Sequence, residues 1–370
     1  MKYTVVDIGT NSARLMIASV KSGRAVSEYK TLRMIRVGEG MVDKKRITEA
    51  AMARTKDTLL EFLEISRSYG AQHNFYCFAT SAVREAENKE DFLDYIKKTC
   101  GIDIEIISGD MEAILGFAGS VCGSGGMFDI GGGSTEFLVG EEGKVLYANS
   151  IKLGAVRLTN KFFKDKKLKT EIINDARIYA RNLVYPVVRN LKHYDYDMVI
   201  GTSGTITTIG AIIYAEKNEY DSEQVILNKY TFDEDSLYKA VKKILKAETE
   251  TERAKIPGLD FKRADIIPAG AIILEQLFIE LGIKKITLSN YALREGILID
   301  TISKEQTGFQ LGNLSDICYK SIITLAENCN YDKIHSEHVL KLSVTIFDYL
   351  KVKYHLSDKD KNNPPFSSLD

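Results

Sequence analysis

Two features of the sequence predict an α/β fold with two similar lobes facing a cleft. Short β-rich runs alternate with stretches of helical periodicity along most of the chain, which suits sheets layered with helices and not a sandwich or a bundle. In addition, Asp7-Ile8-Gly9-Thr10-Asn11-Ser12 is echoed by Asp129-Ile130-Gly131-Gly132-Gly133-Ser134, 129 − 7 = 122 positions later. Each copy is an apolar run ending in Asp-Ile-Gly, then small polar residues, then a second β-rich segment. Similarity on that scale points to two related units, and 370 residues is enough chain for about two cores.

The elements follow in order. Tyr3 to Ile8, Arg14 to Val20 and Glu28 to Val37 read as strands, with Lys21-Ser22-Gly23 as a turn. Thr48 to Tyr69 keeps apolar residues at helical spacing and stops at Gly70. Then come a strand (Asn74 to Ala79), a helix (Glu90 to Cys100), a strand (Ile102 to Ile107) and a helix (Asp110 to Val121). The second half opens with strands at Gly126 to Ile130, Thr135 to Val139 and Lys144 to Leu153, and a long helix from Thr170 to Leu191. Asp197 to Ile200 is a strand, Thr205 to Ala215 a helix, and Lys217 to Asn228 a polar loop. Asp233 to Ala247 and Arg263 to Leu281 are helices, Lys285 to Leu288 a strand, and Ala292 to Ile302 a helix.

Composition narrows the function. The formal charge of −1 provides no global basic field for nucleic acid or an anionic membrane, so an anionic ligand must be held by local devices. Five cysteines without paired spacing fit reduced thiols better than a disulfide framework. With no apolar run long enough to span a bilayer and no leader pattern, the expected location is the cytoplasm.

The candidate chemistry sits in the two echoes. In each, an aspartate ends a strand and a glycine turn follows, so the backbone can fold tightly and aim N–H groups at phosphate oxygens. Gly9, Thr10, Asn11 and Ser12 form one such turn, and Gly131, Gly132, Gly133, Ser134 and Thr135 the other. Arg14 adds a charge-assisted fork. A third small-residue turn, Gly201-Thr202-Ser203-Gly204-Thr205, lies between a strand and a helix. It is placed either to receive an anion at the helix N-terminus or for capping by Ser203 or Thr205. Glu112 opens a helix, where it either complements the dipole or serves as a general base for water. Arg84, just after a strand, reads by itself as a surface charge.

DIGTNSARLMI, FATSAVREAEN, ISGDMEAILGF, FDIGGGSTEF, GTSGT and SNYALREGIL occur in this order. Together they resemble the exopolyphosphatase and guanosine pentaphosphate phosphohydrolase family of the actin, sugar kinase and heat-shock ATPase superfamily, over roughly residues 3 to 302. The resemblance implies two actin-like (ribonuclease H-like) lobes whose turns at Asp7 and Asp129 clasp a phosphate chain. It implies Glu112 as the carboxylate that activates water, and Asp129 and Glu136 as acidic residues supporting a metal or the attacking water. It gives Ser134 and Arg84 as phosphate contacts. Two positions depart from the family's pattern: Met111 precedes Glu112 where Glu-Glu is usual, and Asn290 stands where aspartate is common.

The expected organisation is a first lobe over 1–122, a second over 123–302, a short helical remnant over 303–356 and a disordered tail over 357–370. The remnant resembles the start of a histidine–aspartate phosphohydrolase domain, but the chain has no His-Asp dipeptide, and His335 and His338 read as surface or packing residues. The expected activity is Mg²⁺-assisted, processive hydrolysis of the terminal phosphate of inorganic polyphosphate. Guanosine pentaphosphate hydrolysis is the alternative, and a nonenzymatic nucleotide or polyphosphate sensor a further one. A run of basic residues (Arg157, Lys161, Lys164, Lys166, Lys167, Lys169) offers a track for a long substrate. A homodimer is expected from the resemblance alone.

Overall fold

Lys2–Ile8 (β1) alternates its side chains, and that alternation places the first functional residue. Val6 and Ile8 enter one apolar cluster, Tyr3 and Val5 another on the opposite face, and Asp7 shares the face of Tyr3 and Val5. β1 pairs antiparallel with Ser12–Lys21 (β2), and β2 with Arg24–Met34 (β3). Glu49–Ser68 (α1), capped by the Thr48 hydroxyl on the Ala51 N–H, returns the chain to Phe75–Ala79 (β4), parallel to β1. Ser81–Glu85 (α2) and Lys89–Cys100 (α3) lead to Ile104–Ile106 (β5), completing a sheet of order β3-β2-β1-β4-β5. The computed structural model describes residues 1–21, 24–39, 41, 45–120, 125–141, 144–164, 168–194, 198–218, 227–289, 293–307 and 333–354.

Gly109–Ser120 (α4) leads to the second sheet, and the topology repeats. Gly125–Ile130 (β6), Thr135–Glu141 (β7) and Lys144–Ile151 (β8) form an antiparallel meander. Ala155–Phe162 (α5) and Thr170–Leu191 (α6) follow, then Val199–Thr202 (β9), parallel to β6. Next come Ser203–Lys217 (α7), Thr231–Asp233 (β10), Glu234–Lys246 (α8), Glu250–Arg253 (α9), Ile267–Leu281 (α10) and Lys285–Leu288 (β11). The order β10-β11-β9-β6-β7-β8 is the first sheet's order with one strand added at an edge. Two lobes of one α/β pattern are therefore present, as the echoed turns led us to expect.

The lobes do not divide the chain at a single point. α4, although it follows the first sheet, packs Ala113 and Ile114 on Met127, Leu138 and Ala148 of the second. Leu293–Thr307 (α11), although it follows the second sheet, packs Leu293, Ile297 and Leu298 on Tyr3, Val5 and Met16 of the first. The two helices also pack on each other. Gly296 of α11 lies so close to α4 that a Cβ there would collide with the Leu115 carbonyl oxygen.

Some expectations change. Arg263 to Leu281 is not one helix: Asp260 caps a short 3₁₀ turn over Phe261–Arg263, and α10 starts at Ile267 with Pro268 in its first turn, where a missing N–H costs nothing. The elements α2, α5, β10 and α9 were too short for periodicity to reveal. The chain forms two compact units, Met1–Cys318 and Tyr319–Asp370. The described part of the second is one helix, Lys333–Tyr354 (α12), which carries His335 and His338. Asn290, Lys166, Lys167 and the tail from 357 to 370 lie outside the described residues. Among the described residues no helix is long and apolar enough to cross a membrane.

Gly296→Ala is predicted to destabilise the protein by about 2 kcal/mol or more, because a rigid carbonyl cannot yield to the new methyl. Urea unfolding checks this. An unchanged midpoint would contradict the close crossing of α4 and α11.

Candidate active site

The two turns are built alike. The Gly9 N–H donates to the Ser12 carbonyl at 3.0 Å, and the Gly131 N–H to the Ser134 carbonyl at the same distance. In the first turn the Thr10 carbonyl accepts from Gly38 N–H, and the Asn11 carbonyl from Ile35 and Arg36 N–H. In the second, the Gly131 carbonyl accepts from Ala155, and the Gly132 carbonyl from Val156 and Arg157. Among the turn and loop bonds of the described residues, no backbone carbonyl takes the N–H of Thr10, Asn11, Gly132, Gly133 or Ser134. The turns also meet across the cleft, since a Cβ on Gly133 would lie 2.6 Å from both the Thr10 and Ser81 hydroxyls.

Between them lies a cavity of about 70 Å³. Asp7, Glu112, Asp129 and Glu136 line it together with Arg14, Arg263 and Arg294, both turns, Thr80, Ser81, Ser203 and Thr205. Alternation explains the inward carboxylates: Asp129 shares a face with Met127, and Glu136 with Leu138. Strand register then separates the lobes. Asp7 lies directly opposite Arg14, whereas at the matching place Asp129 lies opposite Glu136. The spacing is the same in both, 14 − 7 = 7 and 136 − 129 = 7.

Three of the four carboxylates have a side-chain donor. The Thr202 hydroxyl donates to Asp129 at 2.8 Å and the Ser150 hydroxyl to Glu136 at 2.8 Å. Arg84 donates to Glu112 at 3.2 Å and to the Ile107 carbonyl at 2.7 Å. Ser203 has φ +77°, a costly left-handed conformation for a non-glycine residue, and its hydroxyl reaches the Ile130 carbonyl at 2.8 Å.

The charges are poised. Burial raises Glu112 well above the ordinary range, the neighbouring Glu136 adds to this, and Arg84 opposes it. Burial, then Asp129, pushes Glu136 up to about 8. Asp7 and Asp129 are also raised, chiefly by burial. On the other side, burial and the charge of Arg14 pull Arg263 down to about 10, and Arg294 is lowered chiefly by burial. Guanidiniums destabilised by burial and by one another favour an anion between them, and crowded carboxylates favour a cation or a shared proton. The buried Asn11 Nδ2, at the first turn, has no hydrogen-bond partner, which fits an oxygen-rich ligand.

Among the described residues no three His, Cys, Asp or Glu side chains are arranged to hold a metal by themselves. A divalent ion sharing Asp129 and Glu136 with ligand oxygens remains consistent with this donor set, since Mg²⁺ ordinarily binds through one or two carboxylates plus phosphates.

The cavity brings together Asp7, Gly9, Thr10, Asn11, Ser12, Arg14, Glu112, Asp129, Gly131, Gly132, Gly133, Ser134, Glu136, Ser203 and Thr205. Other residues proposed from sequence serve differently. The Thr135 hydroxyl bonds the Leu153 carbonyl instead of facing the cavity. Gly201 is packed against Ile206 and Ile286, and Gly204 makes room for the Arg263 guanidinium. Arg84 is half-buried and lines a neighbouring groove. The α7 cap is Thr202, with no side-chain capping bond, so neither Ser203 nor Thr205 caps the helix. Arg263 and Arg294 were missed as site residues. Arg294 lies within SNYALREGIL, though nothing there singled it out, and Arg263 left no trace beyond its place shortly before an apolar helix.

That groove, of about 600 Å³, borders the cavity at Ser134 and is lined by Lys45, Arg84, Glu85, Asp110, Ser150, Lys152, Arg157, Lys161 and Tyr179 among others. Lys161 Nζ lies 4.9 Å from the Tyr179 ring centroid. The track expected from sequence thus contributes Arg157 and Lys161.

Comparison with known proteins gives a consistent result. The sequence model of the Ppx/GppA phosphatase family matches residues 16–305. The chain is 34% identical over 318 residues to a bifunctional 3-dehydroquinate synthase/phosphatase of Fusobacterium nucleatum, covering 81% of this chain and 46% of that protein. It is 27% identical over 362 residues to a guanosine-5'-triphosphate,3'-diphosphate pyrophosphatase of Photobacterium profundum, covering 96% of this chain and 68% of that one. The chain therefore spans about half the length of the first relative and about two thirds of the second. Among solved structures, an exopolyphosphatase from Cytophaga hutchinsonii aligns with TM-score 0.75 at 28% identity, covering 85% of this chain and all of that one. A Ppx/GppA family member from Aquifex aeolicus aligns with TM-score 0.67 at 27% identity, covering 83% and 99%.

The raised carboxylates set a pH dependence of stability. Between the ordinary value of 4.5 and about 8, folded Glu136 holds a proton that the unfolded chain has lost. The stability it contributes is therefore complete below about 4.5 and is lost as pH rises to about 8. Glu136→Gln is predicted to be more stable than wild type above this window, by about 2 kcal/mol, with the gap closing at acid pH. Thermal unfolding in chelator across this range checks it, and parallel profiles for the two proteins would contradict it.

Proposed function

The chain belongs to the Ppx/GppA phosphatase family, and from that premise we propose that it hydrolyses the terminal phosphate of inorganic polyphosphate. The observation that carries this reading is the pairing of a small polar cavity with a basic groove. The cavity, about 70 Å³, suits one terminal phosphoryl group, and the adjoining groove offers Lys45, Arg84, Lys152 and Lys161 to further phosphates. One aromatic ring, Tyr179, is among the groove's lining residues, and Lys161 covers it. That is a poor platform for stacking a nucleobase.

In the proposed reaction the free amides of both turns, with Arg14, Arg263 and Arg294, hold the terminal phosphoryl oxygens. Phosphoryl transfer asks mainly for such positioning and charge neutralisation. Glu112, buried enough to favour a proton and held in place by Arg84, accepts one from the attacking water. Asp129 and Glu136 would hold a divalent ion together with substrate oxygens, and that ion supplies further neutralisation of the phosphoryl charge.

Guanosine pentaphosphate hydrolysis is the second reading, favoured by the name of the Photobacterium relative. Phosphate release measured side by side separates them. We expect kcat/KM on long polyphosphate to exceed that on guanosine pentaphosphate by about tenfold or more, and activity to vanish in excess chelator and return with Mg²⁺. A preference for the nucleotide would establish the second reading. Inertness on both would favour a sensor, and full activity in chelator would remove the metal from the proposal.

A further inference from the structure

Outside the cavity, one of the ion pairs that join the lobes is that of Glu85 and Arg157. Glu85 ends α2 of the first lobe, and Arg157 lies in the first turn of α5 of the second. Arg157 Nη2 donates to both carboxylate oxygens of Glu85, at 2.9 and 3.0 Å. Its Nε donates to the Gly133 carbonyl at 2.8 Å. Glu85 Oε1 also accepts from the Ser81 hydroxyl at 3.0 Å, and Ser81 in turn packs on Gly133. Gly133 is thus gripped twice, at its carbonyl by Arg157 and at its α-carbon by Ser81, and both grips converge on one carboxylate. The pair is partly shielded from water, with side chains 26% and 17% exposed. A charge-assisted pair there is worth more than on an open surface.

We propose that Glu85 and Arg157 form a latch coupling closure of the lobes to the shape of the glycine turn. With the latch made, the Gly133 carbonyl is turned toward α5, and the Gly132, Gly133 and Ser134 amides face the phosphoryl site. With it broken, the turn loses its orientation and the first lobe its grip on it. Both are positioning residues, since neither needs to touch the reacting atoms. The catalytic part of this inference rests on the proposed phosphohydrolase reading, but the coupling itself does not.

The test uses full-length Glu85→Gln, Arg157→Gln, Arg157→Lys and the double glutamine variant. In ligand-free protein, exchange of the Gly131 and Val156 amides, which bond the Ser134 and Gly132 carbonyls of the turn, is expected to quicken by about tenfold in each single variant, with melting temperatures within about 3 °C of wild type. Turnover of whichever substrate wild type accepts is expected to fall about tenfold in kcat, with KM within about threefold. The double variant is expected to be no worse than the worse single one, because the pair acts as a unit. Arg157→Lys keeps the charge but cannot span Gly133 and Glu85 together, so it is expected to behave like Arg157→Gln. Wild-type exchange in the single variants, rescue by lysine, or multiplied losses in the double variant would each overturn the latch. If a glutamine variant fails to fold, Glu85→Asp, which retracts the carboxylate by one methylene, carries the same expectations. The exchange measurement needs no substrate, so a wild type inert on every phosphate would sink the functional reading and still leave the latch tested.

Discussion

At Gly296 two helices approach until a single methyl group would collide with the backbone of Leu115, and the cleft is organised around that contact. α4 reaches from the first half of the chain onto the second sheet, and α11 from the second half onto the first. Their crossing ties together two sheets of the same strand order. It also fixes Glu112, in the first turn of α4, among the inward side chains of β1, β6 and β7. A glycine is the side-chain solution to such an approach, so one residue outside the phosphate turns constrains where the carboxylate can stand.

Within that frame the lobes differ where chemistry demands it. The same hairpin register sets Arg14 opposite Asp7 in one lobe and Glu136 opposite Asp129 in the other. The Asp7–Arg14 pair of the first hairpin is neutral overall and carries a cation toward the cavity. The second concentrates negative charge; burial raises both its carboxylates, and Asp129 adds to the rise of Glu136. Like charges facing each other in a ladder are unfavourable, a cost expected where a binding or catalytic site needs a cation or a shared proton. The duplicated turn supplies amides on both sides, while the residue seven positions after each aspartate assigns the lobes different electrostatic roles.

Much of this was legible in the sequence, because the signals were local. The Asp-Ile-Gly echo exposed the duplicated turns with Asp7 and Asp129 at their strand ends, while Glu136 was pointed to only by the family resemblance. Long elements such as α1 and α6 showed their periodicity, and α6 has the bounds expected of it. What escaped depends on contacts distant in sequence. Arg263 and Arg294 enter the cavity only through the packing around α10 and α11, and Arg84 becomes a partner of Glu112 only when β4, α2 and α4 converge. Thr135 looked like a phosphate donor by its place in the turn. The buried Leu153 carbonyl, 18 residues on, claims its hydroxyl instead. Capping by Ser203 or Thr205 gave way to Thr202, whose side chain serves Asp129.

We propose Glu112 as the base of a phosphohydrolase whose binding machinery lies in the paired turns. Single-turnover phosphate release from long-chain polyphosphate by Glu112→Gln, measured beside polyphosphate binding by the same variant, tests this assignment. The rate is expected to fall about a thousandfold, with affinity kept within about threefold. Release at the wild-type rate would contradict it.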